Sequence, residues 1–406
     1  MSHVSPVSSD GQIMEPTLRD LSEPLIDHEE GQLFLNEAFK IIVEEVFCKG
    51  TDVKQKVCEW KEPDELAQQL DLQLRDTGEP QGRLLQRVRD VAKYSIKTSH
   101  PHFFNQQFGG VDYHSLAGRF LTEALNTNLG RMIPEDLDEK IELSKSLGAV
   151  PFFVSCTSGT TVQGAFDPLD SIADVCNKHD LWMHVDAAWG GSVLFSKQHK
   201  HLMKGADRAN SVAWNPHKML VAGLQCSVLL LKDTTNLLKQ CHSAKASYLF
   251  QQDKFYDVNL DIGDKSVQCS RKVDCLKLWL MWKAVGSTGL EERVDKAFLH
   301  VRYLVEQMKK RDGFLLLREP EFVNVCFWFI PPSLRGREGN ADYQNRLAKV
   351  APIIKERMMK QGTMMVGYQP LGNKVNFFRV TVFSPLISHK DLDFFLDEIE
   401  RLGKDL

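Results

Sequence analysis

The spacing of apolar residues predicts helices near the start of the chain. From Leu33 onward, LFLNEAFKIIVEEVF repeats apolar residues three and four positions apart, which is typical of an amphipathic helix. A second helix is predicted over PQGRLLQRVRDVAKYSIK, after the helix breakers Gly78 and Pro80. Residues 1–31 are rich in serine, proline and acidic side chains, so we expect a disordered tail there, followed by an N-terminal helical segment over residues 32–100.

The middle of the chain predicts an α/β domain, which we place over residues 101–287. AVPFFVSCT and LWMHVDAA are short and almost entirely apolar, as expected of parallel strands that are buried on both faces. Between them, one helical face is formed by Leu169, Ile172, Ala173 and Cys176. This order of strand, helix and strand favours a right-handed parallel crossover. In open α/β sheets ligands bind at the carboxyl ends of the strands, which is where SCTSGTT and HVDAAWGG lie.

The last third of the chain predicts a separate α+β domain over residues 288–406. A long amphipathic helix is indicated by Val294, Phe298, Val301, Val305 and Met308. FVNVCFWFI then predicts a strand, and TMMVGY and VNFFRVTVF predict a hairpin around the turn QPLGNK. Ser388 and Asp391 have the spacing of a capping box, so the closing helix is expected to begin there.

Composition and charge are those of an ordinary globular protein of two or three domains. The 406 residues are 43% apolar and 26% charged, and the net charge of −4 gives no reason to expect nucleic acid or an anionic membrane as partner. No apolar run reaches membrane-spanning length, and the first residues lack the pattern of a signal peptide. The nine cysteines include no CxxC pair, so neither a disulfide framework nor a metal site is indicated. We therefore expect reduced thiols in the cytoplasm.

Lys218, which follows a histidine in SVAWNPHKML, raises the first question about chemistry. A lysine on a turn is usually solvated. A lysine that is held against a carbonyl group and partly desolvated can instead form a Schiff base with it. Asp186 stands at the end of the strand in HVDAAWGG, where a carboxylate facing a pyridine nitrogen would keep that nitrogen protonated and make the ring an electron sink.

Further residues have the chemistry that a pyridoxal phosphate site needs. Small side chains have to lie against the flat ring, and the candidates are Ala187, Ala188, Gly190 and Gly191. His217 can donate a hydrogen bond to a phosphate, Asn215 can fix the turn, and Thr161 can approach the ring hydroxyl. Each has a simpler explanation when taken alone, such as a helix cap, a surface histidine or a common turn. The combination is explained as a whole only by a pyridoxal phosphate site.

The chain resembles the group II pyridoxal-phosphate decarboxylases of the glutamate decarboxylase branch from about Phe39 to Leu406. The motifs that carry this resemblance are HVDAAWGG, NPHK, ASYLFQQDKFYD, GDKSVQC, CFWFIPPSLR and NFFRV. The resemblance implies the aspartate-aminotransferase-like fold (fold type I), with a mainly parallel sheet in the large domain and an α+β small domain. It also implies pyridoxal 5'-phosphate as cofactor and a homodimer with active sites at its interface.

The resemblance gives the cofactor-binding candidates their roles. Lys218 would form the covalent link to the cofactor, and Asp186 would pair with the ring nitrogen. Ala188 would pack on the ring, and His217 would lie near the phosphate.

It also implies residues that act on the substrate. Tyr248 would protonate the substrate carbon after carbon dioxide leaves, and Arg379 would bind the substrate carboxylate with its planar fork of donors. Gln106 would contact the acidic end of the substrate. Without the resemblance these would be a core tyrosine, a solvated arginine and a surface amide.

The implied substrate is a short acidic amino acid, with cysteine sulfinate (3-sulfino-L-alanine) converted to hypotaurine in taurine biosynthesis. Phe108 stands where the glutamate-specific relatives have a small residue, so a shortened pocket is expected. Aspartate has the same chain length as cysteine sulfinate, so it is expected as a secondary substrate. Glutamate is longer by one methylene group, which is worth about 1–3 kcal/mol. A glutamate or aspartate decarboxylase is the alternative.

The chain departs from the family between LTEALNTN (121–128) and GRMIPEDL (130–137). The family has a long stretch here, containing a Gly-Gly-Ser loop for the phosphate and a histidine that stacks on the ring, whereas the flanks are nearly joined at 129–130. His179 and His199 lie in other elements. We therefore expect an incomplete large domain with exposed apolar sheet edges. The chain is either a variant of an active decarboxylase or a catalytically impaired, silent chain that retains the fold.

Overall fold

The computed structural model describes residues 27–95 and 131–406, apart from residues 53, 57, 58, 60, 234, 244–249, 252, 262, 264, 267–271 and 373. The helices are α1 (His28–Ile42), α2 (Pro63–Leu70), α3 (Gln81–Tyr94), α4 (Pro134–Ser146), α5 (Leu169–His179), α6 (Leu237–His242), α7 (Cys275–Lys309), α8 (Tyr343–Gln361) and α9 (His389–Gly403). The strands are β1 (Phe153–Thr157), β2 (Trp182–Ala187), β3 (Ser211–Trp214), β4 (Val228–Leu231), β5 (Phe314–Leu316), β6 (Asn324–Phe329), β7 (Gly367–Leu371) and β8 (Lys374–Thr381).

Both predicted N-terminal helices are present. α1 begins at His28, because the Asp27 side chain accepts a hydrogen bond from the Glu30 backbone at 2.9 Å and caps the helix. The last residues of the expected tail are therefore helical, and residues 1–26 lie outside the described part of the chain. α1 continues through a π-helical turn, Val43–Cys48, and α3 covers the second predicted helix as far as Tyr94.

A buried network of charges fastens the N-terminal segment to α7. Arg87 is only 3% exposed and donates from Nη2 to Glu79 Oε1 at 2.7 Å and to Asp71 Oδ2 at 2.9 Å. Lys283 of α7 lies 3.4 Å from the same Glu79 oxygen. Hydrogen bonds from Arg75 and then Arg87, together with the charge of Lys283, lower the pKa of Asp71 to about 2.

α7 bends sharply at Gly286, where φ is +68° and ψ is 175°. The bend directs the N–H groups of Ser287 and Thr288 to the carbonyls of Arg75 and Asp76, at 3.2 and 3.1 Å. A Cβ atom at Gly286 would lie 2.3 Å from the Asp76 oxygen, so the contact requires glycine. The bend is next to the domain boundary expected between residues 287 and 288, and the division into domains stays a prediction.

The first sheet has the strand order β1-β2-β3-β4 in the described part of the chain. β1, β2 and β3 are parallel, and β4 runs antiparallel to β3. α5 connects β1 to β2, and the predicted apolar face of this helix is buried along Leu169, Ile172, Ala173 and Cys176. The predicted strand–helix–strand unit and the mainly parallel sheet are thereby confirmed.

One face of this sheet and its β1 edge are exposed among the described residues. Val154 and Cys156 are buried, whereas Phe153 is 47% exposed and Ser155 is exposed as well. The prediction that this strand is buried on both faces is therefore wrong for the described chain, because alternate residues point to opposite faces and only one face is covered. Within that chain β1 pairs with β2 alone, and Phe152 just before it is 76% exposed.

The second sheet has the order β5-β6-β8-β7 and is antiparallel throughout. It confirms the predicted strand in FVNVCFWFI and the predicted hairpin. The hairpin turn is shorter than QPLGNK, because residues 369–371 belong to β7. Four positions of the predicted apolar face of α7 are buried and Phe298 is half-buried, the buried ones being Val294, Val301, Val305 and Met308. The capping box of α9 is present, with the Ser388 N–H donating to Asp391 Oδ2 at 2.8 Å.

Candidate active site

Three loops meet at the carboxyl edge of the first sheet. β1 and β2 are in register with Thr157 opposite Asp186, and β2 and β3 are in register with Asp186 opposite Ala213. The loop with Thr161 follows β1, Asp186 is the penultimate residue of β2, and the turn with Lys218 follows β3. Because the carboxyl ends of parallel strands lie at one edge, this sheet brings the predicted cofactor-binding loops together.

Asp186 is exposed and organises its own loop. Its Oδ1 accepts a hydrogen bond from the Ala188 backbone at 3.0 Å, which is a typical Asx turn. A carboxylate has two oxygens and about four acceptor positions, so this bond leaves capacity for a protonated ring nitrogen. Ala188 itself is half-buried.

The other small residues of HVDAAWGG serve packing and do not face a ring. Ala187 is completely buried in the core. A Cβ at Gly190 would lie 2.5 Å from the Ser158 carbonyl oxygen, and one at Gly191 would lie 2.8 Å from Cδ1 of Trp214. Of the four candidates, Ala188 is the one with exposed surface at the sheet edge.

The turn that carries Lys218 is held mainly by backbone contacts. The Lys218 N–H donates to the Asn215 carbonyl at 3.0 Å, so Asn215 closes the turn through its backbone. Nδ1 of His217 lies 2.6 Å from the Cys226 carbonyl oxygen and 3.2 Å from the Cys226 nitrogen, which leaves Nε2 as the ring nitrogen for other partners. Lys218 is half-buried. Arg293 of α7 also supports this segment by donating to the Leu220 carbonyl at 3.1 Å.

Thr161 is linked directly to the second sheet. Its carbonyl oxygen accepts hydrogen bonds from Arg379 Nη1 at 2.7 Å and from Asn324 Nδ2 at 2.9 Å. Burial lowers the pKa of the Arg379 guanidinium from its ordinary value. Cys326 is in register with Arg379 on the neighbouring strand, and burial raises the pKa of its thiol to about 12, so it stays neutral beside the guanidinium.

Gln106, Phe108 and Tyr248 lie outside the described residues, as does the junction at 129–130. His179 and His199, which the sequence places in elements outside the predicted site, contact other residues outside that site. His179 Nε2 lies 2.6 Å from Asp138 Oδ1, and the ring of His199 stacks on Phe298 with centroids 3.6 Å apart.

Sequence reasoning missed Asn324 and Arg293. A signal for Asn324 exists, because it is an amide within the apolar run FVNVCFWFI and a buried amide has to find hydrogen-bond partners. Arg293 gives no such signal, since arginines on helices are usually solvated.

Comparison with known proteins identifies the chain's relatives. The pyridoxal-dependent decarboxylase conserved domain matches residues 63–129 and 128–330. The chain is 51% identical over 476 residues to human cysteine sulfinic acid decarboxylase, covering 92% of this chain and 97% of the relative. It is 47% identical over 487 residues to acidic amino acid decarboxylase GADL1 of Xenopus tropicalis, covering 95% of each. The crystal structure of mouse CSAD superposes with a TM-score of 0.67 at 49% identity, covering 94% of this chain and 100% of that one.

The chain therefore belongs to the pyridoxal-dependent decarboxylase family, with the fold of the type I pyridoxal-phosphate enzymes. Its class is that of the pyridoxal-phosphate-dependent carboxy-lyases, and its cofactor is pyridoxal 5'-phosphate. Among its relatives are the human and mouse cysteine sulfinic acid decarboxylases.

The comparison also bears on the shortened large domain. The alignment with the human relative runs over 476 positions, more than the 406 residues of this chain. The two blocks of the family match meet at residues 128–129. The relatives thus contain a stretch without a counterpart here, as the sequence predicted.

The residues at the sheet edge fit the ring end of pyridoxal phosphate. An amine, a carboxylate with spare acceptor capacity and a small side chain come from adjacent loops, at Lys218, Asp186 and Ala188. His217, the predicted partner of the phosphate, lies on the same turn as Lys218 and contacts the Cys226 carbonyl through Nδ1. None of the described helices combines the length and the apolar character of a membrane-spanning segment. Among the described residues, no group of three or more His, Cys, Asp or Glu side chains could hold a metal ion.

Proposed function

We propose that the chain decarboxylates a short acidic amino acid, with cysteine sulfinate as the preferred substrate and hypotaurine as the product, a step in taurine biosynthesis. Aspartate is the secondary substrate and glutamate is poor. The observation that supports this function is that the loops of Thr161, Asp186 and Lys218 meet at one edge of the first sheet. Arg379 is hydrogen-bonded to the Thr161 loop. The names of the relatives, cysteine sulfinic acid decarboxylase and acidic amino acid decarboxylase, support the substrate class.

The cofactor-binding roles follow from the chemistry of each side chain. Lys218 anchors the cofactor covalently, and Asp186 holds a proton on the ring nitrogen by its negative charge. Ala188 packs on the ring face, Thr161 lies near the ring hydroxyl, and His217 donates toward the phosphate. Asn215 fixes the turn. The bound cofactor supplies an electron sink for the electron pair that remains when the carboxylate leaves.

The substrate is held by residues outside these loops. Arg379 has five N–H donors and uses one toward Thr161, so its planar fork can also bind a carboxylate. Holding that carboxylate sets the orientation of the bond that breaks, and positioning of this kind carries much of the catalysis. Tyr248 then delivers the proton to the substrate carbon.

Selectivity for the shorter acids rests on Gln106 and Phe108. Gln106 contacts the acidic end of the side chain, and Phe108 fills the space that the extra methylene of glutamate would need. One methylene is worth about 1–3 kcal/mol in such a pocket, so glutamate is expected to be slower by roughly 10–200-fold. We also propose a homodimer, with its active sites at the interface.

The test uses the purified chain, pyridoxal phosphate and three substrates. We expect visible absorption of the lysine-bound cofactor, cofactor fixed on Lys218 by borohydride, and carbon dioxide release in the order cysteine sulfinate, aspartate, glutamate. Release from glutamate at a rate comparable to that from cysteine sulfinate would contradict the proposed selectivity.

A silent decarboxylase fold is the second candidate, and the shortened large domain favours it. The family match is interrupted at residues 128–129, and the absent stretch would have to supply the remaining phosphate contacts. The same experiment separates the two functions. A colourless protein without fixed cofactor supports the silent fold, and colour without carbon dioxide release indicates cofactor binding alone.

A further inference from the structure

Asn324 makes three hydrogen bonds from a position that is only 2% exposed. It is the first residue of β6, and its Nδ2 donates to the carbonyls of Thr161 and Val162 at 2.9 and 3.1 Å. Its Oδ1 accepts from Nε1 of Trp189 at 2.8 Å. One amide on a strand of the second sheet thus bonds to two different loops of the first sheet.

Each of these loops also carries a candidate for cofactor binding. Thr161 and Val162 belong to the loop after β1, and Trp189 directly follows Ala188. The Trp189 ring packs edge-on against Phe322 and Phe383, with centroids 5.4 and 5.0 Å away, so the indole is fixed on both sides. The position of Ala188 is therefore coupled to that of the second sheet.

The loop after β1 packs on β6 without spare room. A Cβ at Gly164 would lie 2.7 Å from Cβ of Phe322 and 3.1 Å from Asn324 Oδ1. The Cys326 thiol donates to the Val162 carbonyl at 3.3 Å. Since Thr161 also accepts from Arg379, the loop, Asn324 and the proposed carboxylate-binding residue form one connected unit.

We propose that Asn324 is a positioning residue, which fixes the distance between the ring-facing loops and Arg379. The inference rests on the proposed function for the roles of Thr161, Ala188 and Arg379. If the amide is lost, the buried indole N–H of Trp189 loses its acceptor. The carbonyls of Thr161 and Val162 keep only Arg379 and the Cys326 thiol as donors, so both loops are held to the second sheet by fewer hydrogen bonds. Arg379 would then keep its charge but bind the carboxylate at an altered angle to the ring.

The first experiment measures amide hydrogen exchange of residues 158–164 and 186–191 in the chain without cofactor. Asn324→Leu removes all three hydrogen bonds and keeps the branching at Cγ, and we expect at least fivefold faster exchange in both segments. Asn376→Leu is the matched control, because Asn376 is also an amide of the second sheet and donates to the Ala348 carbonyl at 2.9 Å. Equal protection in wild type and Asn324→Leu overturns the proposal.

The second experiment measures visible circular dichroism of the lysine-bound cofactor, which reports the orientation of the ring. We expect a changed band in Asn324→Leu and an unchanged one in Asn376→Leu. In an active chain kcat should fall roughly 10- to 100-fold, since a displacement of about 1 Å can cost a hundredfold. Faster exchange with an unaltered band and unaltered kcat would reduce Asn324 to a structural role and overturn the proposal.

Two further results keep the inference separate from the proposed function. If wild type binds no cofactor, the proposed function fails, and the exchange of residues 158–164 and 186–191 alone decides whether Asn324 holds the loops. If Asn324→Leu does not fold, Asn324→Ser is measured in its place. Its hydroxyl retains one donor, so we expect intermediate protection of both segments, and wild-type protection overturns the proposal.

Discussion

Arg379 donates from Nη1 to the carbonyl oxygen of Thr161 across 2.7 Å, although 218 residues separate them in the chain. The bond connects a strand of the antiparallel sheet to the loop that follows the first parallel strand. Because of this hydrogen bond, a shift of Thr161 displaces Arg379 as well. Thr161 is the candidate for contacting the cofactor ring, and Arg379 is the candidate for binding the substrate carboxylate. If the proposed roles hold, this carbonyl couples substrate binding to cofactor orientation.

Arg379→Lys should impair substrate binding more than its retained charge would indicate. A lysine is a point charge and loses both the planar fork and the bond geometry to Thr161, so we expect KM for cysteine sulfinate to rise roughly 10- to 100-fold. Steady-state kinetics checks this. Arg318→Lys is the control, since Arg318 donates to Gln163 Oε1 at 2.8 Å on the same loop. An equal rise in KM in both variants would argue against a specific carboxylate contact.

Lys218→Ala should abolish covalent cofactor binding. We expect no borohydride-fixed cofactor and a fall in kcat of more than about a thousandfold, because the residues of such a site act as a unit. Mass spectrometry of the reduced protein and carbon dioxide release measure the two effects. Lys200→Ala, an exposed lysine on a 3₁₀ turn, should behave as wild type. Normal turnover by Lys218→Ala would refute the assignment of the anchor.

The sequence predicted the parts of the fold and site that depend on local pattern. Asp186 and Lys218 could be paired because parallel strands place their carboxyl ends at one edge, and the α9 cap could be located from Ser388 and Asp391 alone. Asn324 could not be linked to Thr161, because that contact depends on how two sheets pack. The exposure of Phe153 could not be predicted either, because an apolar strand has the same sequence pattern whether or not its second face is covered.

Arg87→Met should strongly destabilise the attachment of the N-terminal segment. The change leaves the carboxylates of Glu79 and Asp71 without their main buried partner, and breaking a buried ion pair costs about 3–5 kcal/mol. We expect a lower urea midpoint and faster proteolysis before α7. Arg83→Met on the exposed side of α3 is the control and should cost less than about 0.5 kcal/mol. A double change that also replaces Glu79 by Gln should recover part of the loss.

Stability should fall between pH 6.5 and 4 in a way that depends on His199. Burial, with smaller contributions from His201 and Arg302, lowers the pKa of His199 from 6.5 to about 4. The unfolded chain binds more protons in this range, so the stabilisation is complete above pH 6.5 and is lost as the pH falls towards 4. His199→Phe should retain the ring stacking and remove about 1–3 kcal/mol of this pH dependence. Urea unfolding at pH 8 and pH 5 measures the loss of stability in wild type and in His199→Phe. An equal loss in both proteins would contradict the role of His199 in this pH dependence.

The exposed β1 edge should cause self-association beyond the proposed dimer. Val150 is 84% exposed and Phe152 is 76% exposed, and in the described chain β1 has β2 as its one strand partner. Unpaired apolar edges favour pairing with a further chain, and lysine side chains oppose it. Val150→Lys and Phe152→Lys should therefore lower the concentration-dependent light scattering of the purified protein, with little change in unfolding midpoint since neither side chain is buried.

Met359→Lys provides the matched comparison for this edge, because Met359 is 60% exposed but lies on α8. It adds the same charge to the surface without altering a strand edge. We expect scattering close to that of wild type for this variant. If all three lysine variants lower the scattering equally, net charge and not the β1 edge governs the association. If scattering persists in Val150→Lys and Phe152→Lys, a surface other than the β1 edge drives the association, and the prediction is wrong.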